Sequence, residues 1–170
     1  MSKKELPERK NIPMELTWDL TLIYPNSDAW EKDFAELDER VAAFNAYRGR
    51  LAESAAVLRD AIAALDNMER LLEKLYTYAH LKHDEDTAEP QAKTLENRAS
   101  GKAAAISAEC AWFEPELLAV DDEKISAMLQ EDVLKFYKPS IEELLRAKKH
   151  TLSEKEERIM GALSDVLSAP

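Results

Sequence analysis

After Pro25, apolar residues recur as Trp30, Phe34, Leu37, Val41 and Phe44, spaced by four, three, four and three positions. That spacing holds them on one face of a helix with about 3.6 residues per turn, so one long amphipathic helix is expected. Ser27 is its expected N-cap, and Gly49 is suited to a left-handed stop. Ser54 opens a second helix in which Leu58, Leu65, Leu72 and Ala79 lie seven apart. Ala61, Met68 and Leu75 interleave with them, and Ile62 and Tyr76 flank them. The pattern reads as a heptad seam, and the short link between the helices predicts an antiparallel hairpin.

A third helix is expected behind Thr87 as cap, with Pro90 tolerated in its first turn. Its stripe runs Leu95, Ala99, Ala103, Ile106, Cys110 and Phe113. Shorter pieces follow: Asp121 ahead of Ile125, Met128 and Leu129, a link through Phe136 and Tyr137, then Ile141, Leu144 and Leu145 after Pro139. A last helix should begin at Ser153, where Glu156 completes a capping box, and expose Ile159, Leu163, Val166 and Leu167 on one face. With little chain after it to pack upon, it is expected to be truncated or partnered.

The segment between Pro13 and Pro25 has a different period. Leu16, Trp18, Leu20 and Leu22 stand two apart, the repeat of an extended chain with one buried face. An extended arm or short strand is expected there. A lone strand cannot form a sheet, so its apolar edge should lie on helices of this chain or on another surface.

Composition strengthens the helical reading. Counting along the 170 residues gives 25 Ala and 22 Leu against 3 Gly, and Ala, Leu, Glu, Lys and Arg lose least on entering a helix. The fold class expected is all-α: an antiparallel helical hairpin or bundle carrying a short extended N-terminal arm. Lys and Arg number 23 against 34 Asp and Glu, a net charge of −11. Such a surface repels phosphate backbones and anionic lipid, which disfavours nucleic acid and membrane surfaces as partners. The charged amino end lacks a signal-peptide core, and nothing reaches the length of a membrane span. A soluble, cytoplasmic protein is expected, and the single cysteine, Cys110, fits a reducing compartment as a small buried hydrophobe.

Candidate chemistry is sparse. Zinc-dependent hydrolysis commonly places H-E-x-x-H on one helix face, two imidazoles for the metal and a glutamate for its water. The chain has no such motif. His80 and His83 stand three apart ahead of Asp84, Glu85 and Asp86, but Leu81 occupies the place of the general base. A polar helix terminus is the favoured reading of the pair, with metal binding ranked last. His150 has no nucleophile elbow or reactive-cysteine signature beside it. Gly49, Gly101 and Gly161 are isolated, so no phosphate-cradling loop can be assembled. Trp18 differs from the other aromatics, since an aromatic anchor on an arm more often inserts into another domain or subunit.

Four longer strings are more specific. ELTWDLTLIYPNSDAWEKDF, LEKLYTYAHLKHDEDTAEP, AWFEPELLAV and RAKKHTLSEKEERIMGALSD, in that order, resemble the amino-terminal region of oligoendopeptidase F, a zinc metallopeptidase family related to thimet oligopeptidase. The resemblance runs from about residue 11 to the end. One departure is Lys148, Lys149 and His150, where members commonly read K-P-H; this weakens a local turn but leaves the LSEKEE cap. The resemblance implies a helical lobe over a carboxy-terminal catalytic domain, with a channel between them that admits short peptides. It also implies zinc in the full-length enzyme, and no catalytic, metal or cofactor residue in this chain, because no position here matches the family's zinc motif.

On this reading, residues 1–26 form the arm and 27–170 the helical lobe. Contacts with the catalytic domain are expected from Leu16, Trp18 and Leu20 on the arm and from Ile159, Leu163, Val166 and Leu167 on the last helix. The alternative is a stand-alone helical interaction or dimerisation module derived from the family, in which the same surfaces make a homo-oligomer or bind another protein.

Overall fold

The computed structural model describes residues 9–148. Six α-helices are found there: α1 (Ser27–Asn45), α2 (Ala55–Glu85), α3 (Pro90–Cys110), α4 (Phe113–Leu118), α5 (Asp122–Met128) and α6 (Lys138–Lys148). No strand occurs among the described residues. The all-α expectation is borne out. The last helix expected from Ser153 onward, with Ile159, Leu163, Val166 and Leu167, lies outside the described residues, as does His150.

Side-chain pairings fix the helix directions. Trp30 reaches Leu75 and Arg40 reaches Asn67, so α2 runs backwards along α1. His80 meets Glu96 and Met68 meets Cys110, so α3 runs backwards along α2. Glu31 pairs with Arg98 and Asp38 with Lys102, which makes α1 and α3 parallel neighbours. The result is the expected antiparallel hairpin extended to a three-helix layer.

Two apolar clusters share α2. One joins α1, the second half of α2, α3 and the arm through Leu20, Tyr24, Trp30, Leu37, Leu75 and Ile106. The other sets the first half of α2 against α4, α5 and α6 through Leu58, Ile62, Leu117, Ile125, Leu134 and Ile141. This division moves the buried face along α2. Leu58 and Ala79 are buried, Leu65 and Leu72 are only half-buried, Leu71 and Tyr78 join the core, and Tyr76 is exposed. A strict seven-residue column therefore describes α2 only in part.

Several boundaries differ from the sequence reading. Asn26, rather than Ser27, caps α1, its side chain accepting from Ala29 N–H at 2.9 Å. Glu89, rather than Thr87, caps α3, with Pro90 in the first turn. Ser54 caps α2 as expected. Helix α1 ends at Asn45, and Gly49, at φ +80°, turns the link to α2 instead of closing the helix.

The arm is the main correction. It is no strand but a chain of three 3-10 turns, Arg9–Asn11, Met14–Leu16 and Leu20–Leu22. Asp19 caps the last by accepting from Thr21 N–H at 3.1 Å. Residues two apart share a face only on extended backbone. Turns interrupted by extended Thr17 break that alternation, so Leu20 is buried while Leu16, Trp18 and Leu22 are exposed.

Candidate functional site

The arm is tied down at both ends. Arg9 Nη2 donates to Glu85 Oε1 at 2.8 Å, at the end of α2. At its other end Tyr24 is buried edge-on against Tyr78, ring centroids 5.3 Å apart. The Tyr24 hydroxyl donates to Asp33 Oδ2 at 2.7 Å, and Lys74 Nζ donates to the same oxygen at 3.2 Å. Lys74 also lies 3.9 Å from the centroid of the Tyr24 ring, a cation over an aromatic face.

Between these anchors the arm turns its apolar side chains outward. Met14 is 88% exposed, Leu16 74%, Trp18 54% and Leu22 85%. So many large apolar groups on one short, fixed segment form an unusual patch for a surface otherwise rich in charge. Of the three arm residues expected to meet another domain, Leu16 and Trp18 are accessible. Leu20 is buried in the chain's own core, because its turn folds it under α2.

At the same end of the hairpin, two imidazoles converge on one carboxylate. His80 Nδ1 lies 3.1 Å from Glu96 Oε1, and His83 Nε2 lies 3.5 Å from Glu96 Oε2. His80 Nε2 also faces Asp84 Oδ2 at 3.5 Å. Foremost the hydrogen bond from His80, then the charges of His83 and Lys93, hold the Glu96 carboxyl below the usual glutamate range against its desolvation. Among the described residues no three His, Cys, Asp or Glu side chains are arranged to hold a metal ion. The pair lies near the end of α2, with its contacts made to Glu96 and Asp84.

A groove of about 1010 Å³ opens between α2, α3 and α4. Leu65, Met68, Ile106, Cys110 and Phe113 line it, with Glu69 and Glu114. The Cys110 thiol sits 3.9 Å from the Met68 sulfur. Burial, then Glu109 and Glu69, push its pKa up, so the thiol stays protonated and is a poor nucleophile.

Two structural contacts were not expected from the local pattern. Glu116 on α4 reaches back to the α1–α2 link, accepting from Gly49 N–H at 2.7 Å and Leu51 N–H at 3.0 Å. Arg98 grips Glu31 with two nitrogens at 2.5 and 2.8 Å while its guanidinium lies over Trp30 and Phe34. For the second a hint existed: Arg98 and Lys102 are four apart on α3, facing Glu31 and Asp38, seven apart on α1.

Known proteins resemble this chain over most of its length. The chain is 34% identical over 166 residues to oligopeptidase PepF of Bacillus subtilis, an alignment that takes in 97% of this chain. The chain is similar to the amino-terminal part of oligoendopeptidase F proteins. A family model described as Oligopeptidase F matches residues 116–170. The plasmid-encoded oligoendopeptidase F of Lactococcus lactis subsp. cremoris is 32% identical over 164 residues, 95% of this chain. Among solved structures, one from Chlamydophila abortus superposes with a TM-score of 0.81 at 27% identity, covering 96% of this chain and 28% of that one. Oligoendopeptidase-F from Enterococcus faecium gives 0.66 at 28% identity, covering 83% of this chain and 28% of its own.

The chain spans about a quarter of the length of the curated relatives it matches, 25% of the Bacillus protein and 27% of the Lactococcus protein. No helix of the described residues is long and apolar enough to cross a membrane.

Proposed function

We propose that this chain is the non-catalytic amino-terminal lobe of a cytoplasmic zinc oligoendopeptidase, with residues 1–26 as its arm and 27–170 as its helical body. In this role it shapes and narrows the channel by which short peptides reach a zinc site in a following catalytic domain. The observation that carries the reading is the coverage: 97% of this chain aligns with a peptidase of which it spans only 25%. The outward-facing Leu16 and Trp18, on an arm pinned at Arg9 and Tyr24, supply an apolar edge for such a domain. Ile159, Leu163, Val166 and Leu167 are proposed to add to it.

The experiment compares the 170-residue chain with a longer product that includes the coding sequence beyond Pro170, using fluorogenic peptides with and without chelator. Chelator-sensitive hydrolysis is expected only from the longer product, whose added part should contain H-E-x-x-H. Hydrolysis by the chain alone, with contaminating peptidase excluded, would defeat the reading. The exposed arm also favours a second reading, a stand-alone interaction or dimerisation module. Light scattering separates the two: a stable dimer through the arm supports the module, and a monomer supports the lobe.

A further inference from the structure

Both ring nitrogens of His80 face carboxylate oxygens, Nδ1 towards Glu96 on α3 at 3.1 Å and Nε2 towards Asp84 on its own helix at 3.5 Å. A neutral imidazole carries one N–H and one lone pair, so it can donate to only one of them, and the other nitrogen then presents its lone pair to an anion. Both contacts become attractive only when the ring carries two protons. The Tyr76 ring stacks on His80, with centroids 5.8 Å apart and planes 14° apart, and its face favours a positive ring.

His83 is built differently. Its Nε2 faces Glu96 at 3.5 Å, but its Nδ1 is buried and has no partner. A proton on Nδ1 would be buried unsatisfied, so one proton, on Nε2, meets every contact His83 makes. Of the two rings, only His80 has a carboxylate oxygen facing each of its nitrogens. The remaining charges nearby are accounted for: Lys93 reaches Glu96 at 3.8 Å, while Arg9 and Lys82 are engaged by Glu85.

We propose that His80, Glu96 and Asp84 form a proton-operated clasp between the end of α2 and the start of α3, closed when His80 is charged and half-released when it loses its proton. The clasp lies where the arm is fastened, since Arg9 binds Glu85 two residues from His83.

A double-mutant cycle with His80→Gln and Glu96→Gln in the 170-residue chain, read by urea unfolding, tests this. Measurements at about pH 5.5 and about pH 8 bracket the range in which imidazoles ordinarily titrate. The expected coupling between the two sites changes the folding equilibrium about two- to fivefold at the lower pH, the scale of an exposed ion pair, and falls towards none at the higher. Equal coupling at both pH values, or none at either, overturns the proposal. Amide exchange gives a second reading should a variant unfold: protection at residues 82–86 should drop between the two conditions in the unaltered chain. Protection that does not change there also overturns it.

Discussion

Trp30 donates its indole Nε1–H to the main-chain carbonyl of Leu75 at 3.1 Å, joining α1 to α2 from a fully buried ring. The same ring stacks on Phe34 with centroids 4.7 Å apart and underlies the Arg98 guanidinium. It is the point where all three helices of the layer touch one side chain. Trp30→Phe should cost about 1 kcal/mol for the lost hydrogen bond, and Trp30→Ala about 3–5 kcal/mol because a large cavity is left. Urea unfolding curves check both, and near-equal costs would show that the indole N–H matters more than the packing.

Glu116 binds two backbone amides of the α1–α2 link, and one of them, at Leu51, belongs to a residue with no solvent exposure. Glu116→Ala leaves that N–H without its partner and should destabilise by about 1–3 kcal/mol. Glu116→Gln keeps one acceptor oxygen and should cost less. Gly49→Ala isolates the other half of the joint: no atom lies within 4 Å of the added methyl, so the positive φ alone should cost about 1–2 kcal/mol. Equilibrium unfolding of the three variants ranks these effects.

Stability should fall at both ends of the pH scale through one hydrogen bond. Burial works against the Asp33 charge, but hydrogen bonds from Tyr24 and Lys74 hold its carboxyl below the ordinary range. A carboxyl depressed by folding adds stability above its unfolded value near ~3.9, and that share is lost as pH falls through the folded value. Tyr24 moves oppositely, pushed far above its ordinary value first by burial and then by Asp33. Its share is present below the unfolded phenol value near ~10 and disappears as pH climbs towards the folded one. Asp33→Asn should flatten the acid limb and Tyr24→Phe the alkaline limb of a Tm-against-pH curve.

Cys110 is half-buried in the groove beside Met68, with its thiol held protonated by burial and by Glu109 and Glu69. Labelling by a thiol-specific reagent at about pH 8, near the ordinary cysteine value, should be much slower in the folded chain than in urea. Equal rates would show the thiol to be as open and as acidic as in a free peptide.

Trp18 makes a contrasting case. At 54% exposure, Trp18→Ser should change the stability of the 170-residue chain by no more than about 0.5 kcal/mol. The same change in a longer, active product should impair peptide hydrolysis or domain association, as the lobe reading requires. A large loss of stability in the short chain would mean the indole already serves the lobe's own core.

The helix faces were legible because burial there follows a regular period: Trp30, Leu37, Val41 and Phe44 are all buried as their spacing requires. The arm was not, since the two-residue period of Leu16 to Leu22 presumes extended backbone, and a local contest between 3-10 turns and extension, aided by the Asp19 cap, decided otherwise. Cap positions slipped where competent residues adjoin, as with Asn26 and Ser27. Of the site, Trp18 stood out as an aromatic on an arm, where it is exposed. The grip of Glu116 on Gly49 and Leu51 spans 65 residues or more, beyond the reach of any window-based pattern.

One helix belongs to both apolar clusters. At 31 residues, α2 is about 46 Å long, and its first half is packed by α4, α5 and α6 while its second half is packed by α1, α3 and the arm. Neither cluster can come apart without stripping half the cover from the same rod. Melting should therefore be a single event for the described region, because the loss of either cluster uncovers half of a helix that the other still holds.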